Sequence, residues 1–91
     1  MAGPVAGPQT IGPLVKLIPY PAATFTADVS MLDTDNHQTP ARFIAARTAG
    51  TLSLVDGSGT TRTYTVDELW ERVMLVREIK LATDVDIEVG Y

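Results

Sequence analysis

The chain has 91 residues, 11 acidic against 7 basic, for a net charge of −4, and it has no cysteine. That length holds one domain at most, and disulfide support is excluded. An acidic chain whose arginines (42, 47, 62, 72 and 77) are spread out, not clustered, lacks the footprint of a phosphate-binding surface, so nucleic acid is not an expected partner.

The first 27 residues carry one charge, Lys16, and hold five of the six prolines and three of the seven glycines. Proline fixes φ and has no N–H to donate, so neither a helix interior nor a central strand forms through such a stretch. An extended or polyproline-like path is expected instead. Disordered tails are usually charged and poor in apolar residues. This segment is the reverse, with Ile11, Leu14, Val15, Leu17, Ile18 and Tyr20 along it. It reads as residues 1–27, an N-terminal arm that buries these side chains against a neighbouring chain. Folding over its own body and a free tail are the two alternatives.

Residues 28–91 make the body, roughly 64 residues. A domain of that size buries only about 60% of the surface its unfolded chain exposes and usually leans on partners. Thr24 to Ala27 is a candidate short strand. Asp33 to Pro40 is dense in turn formers and reads as a loop. Ala41 to Thr48 is a short apolar strand interrupted by Arg42 and Arg47, followed by a turn at Ala49-Gly50. Thr51 to Val55 alternates, with Leu52 and Leu54 on one face. Asp56-Gly57-Ser58-Gly59 reads as a hairpin loop, and Thr60 to Val66 as its second strand, with Tyr64 and Val66 on one face. Asp84 to Tyr91 alternates again, Val85, Ile87, Val89 and Tyr91 inward and Asp84, Asp86 and Glu88 outward.

Val66 to Leu81 admits two readings. Thr65-x-x-Glu68 fits a capping box, with Val66, Leu69, Trp70, Val73 and Val76 at helical spacing. A strand instead puts Val73, Leu75, Ile79 and Leu81 on one face, which Arg77 interrupts. A helix strands Leu75, Ile79 and Leu81 off its stripe, so the expectation is a helical turn near Val66–Trp70 and then a long strand from about Arg72 to Ala82. Trp70, the only tryptophan, is equally suited to core packing and to anchoring an interface.

Few motifs carry chemistry. Asp33-x-Asp35-x-His37 opens like a calcium loop, but Gln38 stands at the sixth position and Ile44 at the twelfth, so an Asx-rich turn with a solvated His37 is expected. Gly57-Ser58-Gly59 lacks the following Lys-Ser/Thr of a phosphate loop. Asp84, Asp86 and Glu88 read as a solvated strand face. No nucleophile, base and oxyanion site come together, so no enzyme, cofactor or metal is expected. The longest apolar run, Val73–Val76, is too short to span a bilayer, and no basic segment opens a secretory signal; a soluble protein without a membrane partner is expected.

The fold class expected is all-β: a small antiparallel β-sandwich or barrel with an extended Pro/Gly-rich N-terminal arm. From Thr39 to Tyr91 the order of features resembles the spike-base and head decoration proteins of tailed phages and gene transfer agents. It rests on Thr39-Pro40-Ala41-Arg42 leading into Phe43-Ile44-Ala45-Ala46, on Ala49-Gly50-Thr51-Leu52 opening the next strand, on the glycine hairpin, on an apolar strand punctuated by Arg72 and Arg77, and on a last strand ending in tyrosine. The resemblance implies a non-enzymatic structural protein of a virion or phage-like particle. Its partners would be copies of itself and capsid or spike/fibre proteins. The alternative is a small β binding module, or a subunit of a cellular complex, with the arm as docking peptide. Either way Ile11, Leu14, Val15, Leu17, Ile18, Tyr20 and Trp70 are the expected interface residues.

Overall fold

The hairpin anticipated around Asp56–Gly59 is the centre of the structure. Its strands are β6 (Gly50–Asp56) and β7 (Thr61–Val66), antiparallel, with Leu52 opposite Tyr64 and Leu54 opposite Arg62. Gly59 sits at φ +86°, the left-handed conformation that closes the turn at little cost only for glycine. The Asp56 carboxylate fills the loop, accepting the backbone N–H groups of Ser58 and Thr60 at 2.9 and 3.1 Å and the Ser58 hydroxyl at 2.6 Å.

The computed structural model describes residues 16–34 and 37–91. The other strands are β1 (Leu17–Tyr20), β2 (Val29–Ser30), β3 (Leu32–Asp33), β4 (Thr39–Pro40), β5 (Phe43–Ala46), β8 (Glu71–Arg72), β9 (Val76–Ile79) and β10 (Ile87–Gly90). They form two four-stranded antiparallel sheets, ordered β1-β10-β5-β8 and β2-β9-β6-β7, and a small β3-β4 hairpin. Both sheets supply the core: Ile44, Ile87 and Val89 from the first, and Leu52, Leu54, Val76 and Ile79 from the second, all essentially without exposure. Burying an aliphatic side chain of this size contributes about 1.5–3 kcal/mol relative to leaving it in water. The all-β expectation holds.

Several elements depart from the sequence reading. Thr24–Ala27 is not a strand: Ala22–Thr24 makes a 3₁₀ turn that delivers Phe25 into the core. Asp33–Pro40 is not all loop, because its ends pair as β3 and β4. His37 is exposed, as expected, and it and Gln38 both adopt left-handed φ, 57° and 61°. The helical turn near Trp70 is a single reverse turn, with the Trp70 N–H on the Asp67 carbonyl at 3.1 Å. Asp67, not Thr65, supplies the side-chain cap, accepting the Leu69 N–H at 2.9 Å.

The long strand Arg72–Ala82 is divided between the sheets. β8 pairs with β5, and β9 pairs with β6 and β2, so Val73–Leu75 is the crossing. Val76 and Ile79, an odd number of places apart, both point inward because the register slips by one residue opposite Val55/Asp56. Arg77, which interrupted the alternation in the sequence, is the extra residue of that β-bulge. The final strand begins at Ile87, three residues later than its alternation suggested, although Val85 is buried.

The arm also gives up its last part to the body. β1 pairs with β10 along Leu17↔Gly90 to Tyr20↔Ile87, so residues of the expected arm form a sheet edge. Proline is tolerated there for a geometric reason. Lys16 and Tyr91 exchange backbone hydrogen bonds at 3.4 and 2.9 Å, which turns Ile18 and Tyr20 toward β10 and Leu17 and Pro19 outward. The N–H that Pro19 lacks would have faced away from the ladder.

Candidate interaction surface

The expected interface residues fall in three places. Ile11, Leu14 and Val15 lie outside the described residues. Leu17, Ile18 and Tyr20 stand on β1; Leu17 is 44% exposed, while Ile18 and Tyr20 pack on the core, Tyr20 with its ring 6.3 Å from that of Phe25. Trp70 lies just before β8, at the opposite edge of the same sheet. The structure does not bring the two groups together.

Around Trp70 there is a surface the sequence reading missed. Trp70 is half-buried against the core, with its ring 5.3 Å from that of Tyr64 on β7. The Arg72 guanidinium lies over both rings, at 5.1 and 5.6 Å. This stack ties β8, the edge of one sheet, to β7, the edge of the other, so a single flank of the sandwich carries both. Exposed apolar side chains follow and precede it in the chain: Leu69, 83% exposed at the tip of the turn beside Trp70, and Val73 next to Arg72, whereas the exposed Leu75 lies against Gly57 of the β6–β7 loop. The signal was present as apolar residues at 69, 73 and 75. It was spent on imagined inward faces, because a crossing between sheets has no periodicity of its own.

The charged groups serve the fold. Asp56 accepts the Arg62 guanidinium at 2.5 Å as well as the loop donors, and those hydrogen bonds, the Ser58 hydroxyl first, hold its carboxyl well below the usual carboxylate range. The carboxylates expected as a solvated face are each engaged. Asp84 accepts the Thr51 N–H at 2.7 Å, Asp86 accepts the Ala22 N–H at 2.7 Å, and Glu88 accepts the Arg47 Nε at 2.6 Å. Asp86, Arg47 and Glu88 also line an open cleft of about 260 Å³ beside Pro19 and Tyr20. The Tyr91 hydroxyl donates to the Met31 carbonyl at 2.8 Å, and partial burial pushes its pKa up to about 12.

Among the described residues no three His, Asp or Glu side chains are grouped to hold a metal ion, and no helix is long and apolar enough to cross a membrane. Fold and surface together define a small two-sheet β domain with one apolar-rimmed flank. Compared with family models, curated proteins and solved structures, the chain matches none.

Proposed function

We propose that this chain is a structural subunit that assembles with copies of itself, in the setting of a phage or phage-like particle as a head decoration, vertex or spike-base component. The observation that carries the assembly reading is the flank where Leu69 and Val73, each next in the chain to a member of the Tyr64–Trp70–Arg72 stack, stand exposed. Apolar side chains rimming a half-buried aromatic and an arginine have the composition of an interface centre. The uncharged apolar sequence before Lys16 gives a second means of tying subunits together. The particle setting is supported by the order of features from Thr39 to Tyr91.

Light scattering across a dilution series tests the reading. The expected mass is a multiple of 9.8 kDa that falls toward one chain on dilution. Leu69→Asp combined with Val73→Asp should shift the series toward monomer with an unchanged far-ultraviolet spectrum, because each places a charge where a partner is apolar. A wild-type chain that stays monomeric at the highest concentration would sink the proposal.

A further inference from the structure

The two sheets present four edges, and three are blunted. β1 carries Pro19 with its missing N–H outward. β8 and β2 are two residues long, and β8 consists of a glutamate and an arginine. β7 is different: six residues, no proline or lysine, and a lone charge, Arg62, already neutralised by Asp56. Natural sheets usually protect such an edge.

The open groups can be assigned. The Asp56 N–H donates to the Thr60 carbonyl at 2.9 Å, and antiparallel ladders alternate, so Arg62, Tyr64 and Val66 turn their backbone groups to β6. The other side of β6 agrees: the Thr51 and Ser53 carbonyls accept from Asp84 and Lys80, away from β7. The N–H and C=O groups of Thr61, Thr63 and Thr65 therefore point out of the sheet.

We infer that β7 pairs with β7 of a second copy, antiparallel about a two-fold axis at Thr63. The edge is self-complementary in that register. Thr63 faces the partner's Thr63 and Thr61 faces the partner's Thr65, each a pair exchanging two hydrogen bonds. Arg62 faces the partner's Tyr64, a cation beside a ring. Threonine pairs and cation–aromatic pairs are favourable cross-strand neighbours. The same flank holds the Tyr64–Trp70–Arg72 stack and its apolar rim, so pairing through β7 draws those side chains into one isologous interface. The inference rests on the reading of this chain as a self-assembling subunit and names the surface and register.

Cysteine cross-linking tests it in the full chain, which has no cysteine of its own. In this register two Thr63 Cα atoms stand about 5.5 Å apart, within disulfide reach, whereas two Thr61 Cα atoms are separated by about 13 Å along the strands. Oxidised Thr63→Cys should run mostly as a covalent dimer, and Thr61→Cys should cross-link at least tenfold more slowly. Thr63→Pro removes an outward N–H and the long 3.4 Å hydrogen bond from the Thr63 hydroxyl to the Ser53 Oγ but no backbone bond to β6, so it should keep the β-type spectrum and lower the mass in solution. An oligomeric wild type whose Thr63→Cys variant stays uncross-linked overturns the β7 pairing and leaves self-assembly standing. A wild type that is monomeric throughout, with no cross-link at 63, overturns both. If Thr63→Pro fails to fold, the cross-linking pair decides alone.

Discussion

Thr83 and Asp84 do the work of a strand without belonging to one. β9 ends at Ile79, and beyond it β6 still has backbone groups to satisfy. The Thr83 hydroxyl accepts the Ser53 N–H at 2.9 Å and donates to the Ser53 carbonyl at 3.0 Å, both buried. Asp84 accepts the Thr51 N–H, and Gly50, at φ +153°, leaves room where a Cβ would strike the Asp84 carboxylate and Val85. Replacing Thr83 with valine keeps the shape and leaves the buried Ser53 N–H unpaired, while the Ser53 carbonyl keeps the Lys80 N–H at 2.8 Å, so chemical denaturation should show a loss of about 2 kcal/mol, with Thr83→Ser nearer wild type. Asp56 gives a pH-dependent counterpart. Its carboxyl is harder to protonate folded than unfolded, where it titrates near 3.8, so its stabilisation is complete above that value and is lost as pH falls through the lower folded value. Asp56→Asn should lower the melting midpoint by several degrees at pH 7, and the gap from wild type should shrink below about pH 4. Neither role was legible in the sequence. Asp56 read as a turn residue, and Thr83 fell between two expected strands, because a hydroxyl standing in for a strand leaves no periodic trace.

The β6–β7 hairpin and the inward residues Val85, Ile87 and Val89 were legible because each satisfies a local rule within a few positions. Elements whose existence depends on distant partners were not. β1 is a strand only because β10 offers it a ladder from the far end of the sequence, and Phe25 is core only because a 3₁₀ turn aims it there. Arg77 was seen as an interruption, but its meaning as a bulge required knowing that β9 pairs with β6. The placement of β1 changes what truncation should do. Removing residues 1–15 leaves β1 in place and should keep the β-type circular dichroism spectrum of the body. Extending the cut through residue 22 removes β1 and its contacts with the core, strips the edge of β10, and should lower the midpoint sharply. Equal stability of the two truncations would mean that β1 contributes nothing to the sheet.

At the scale of the whole molecule, the all-β class followed from composition and alternation, whereas the division into two sheets did not. Val73–Leu75 carries the chain from one sheet to the other, and that step decides which residues around Trp70 are left outside. Of the residues expected at an interface, Trp70 stands on that flank, whereas Leu17, Ile18 and Tyr20 stand on the edge away from it. That other edge has a mechanical consequence. Lys16 and Tyr91 lie side by side where β1 enters and β10 leaves, running in opposite directions. A load applied between them acts across the ladder, not along it, and opens the hydrogen-bonded pairs one after another like a zipper. Tension entering through residue 16 therefore meets this domain at its weakest geometry, and β1 would peel from β10 before the sheets slide.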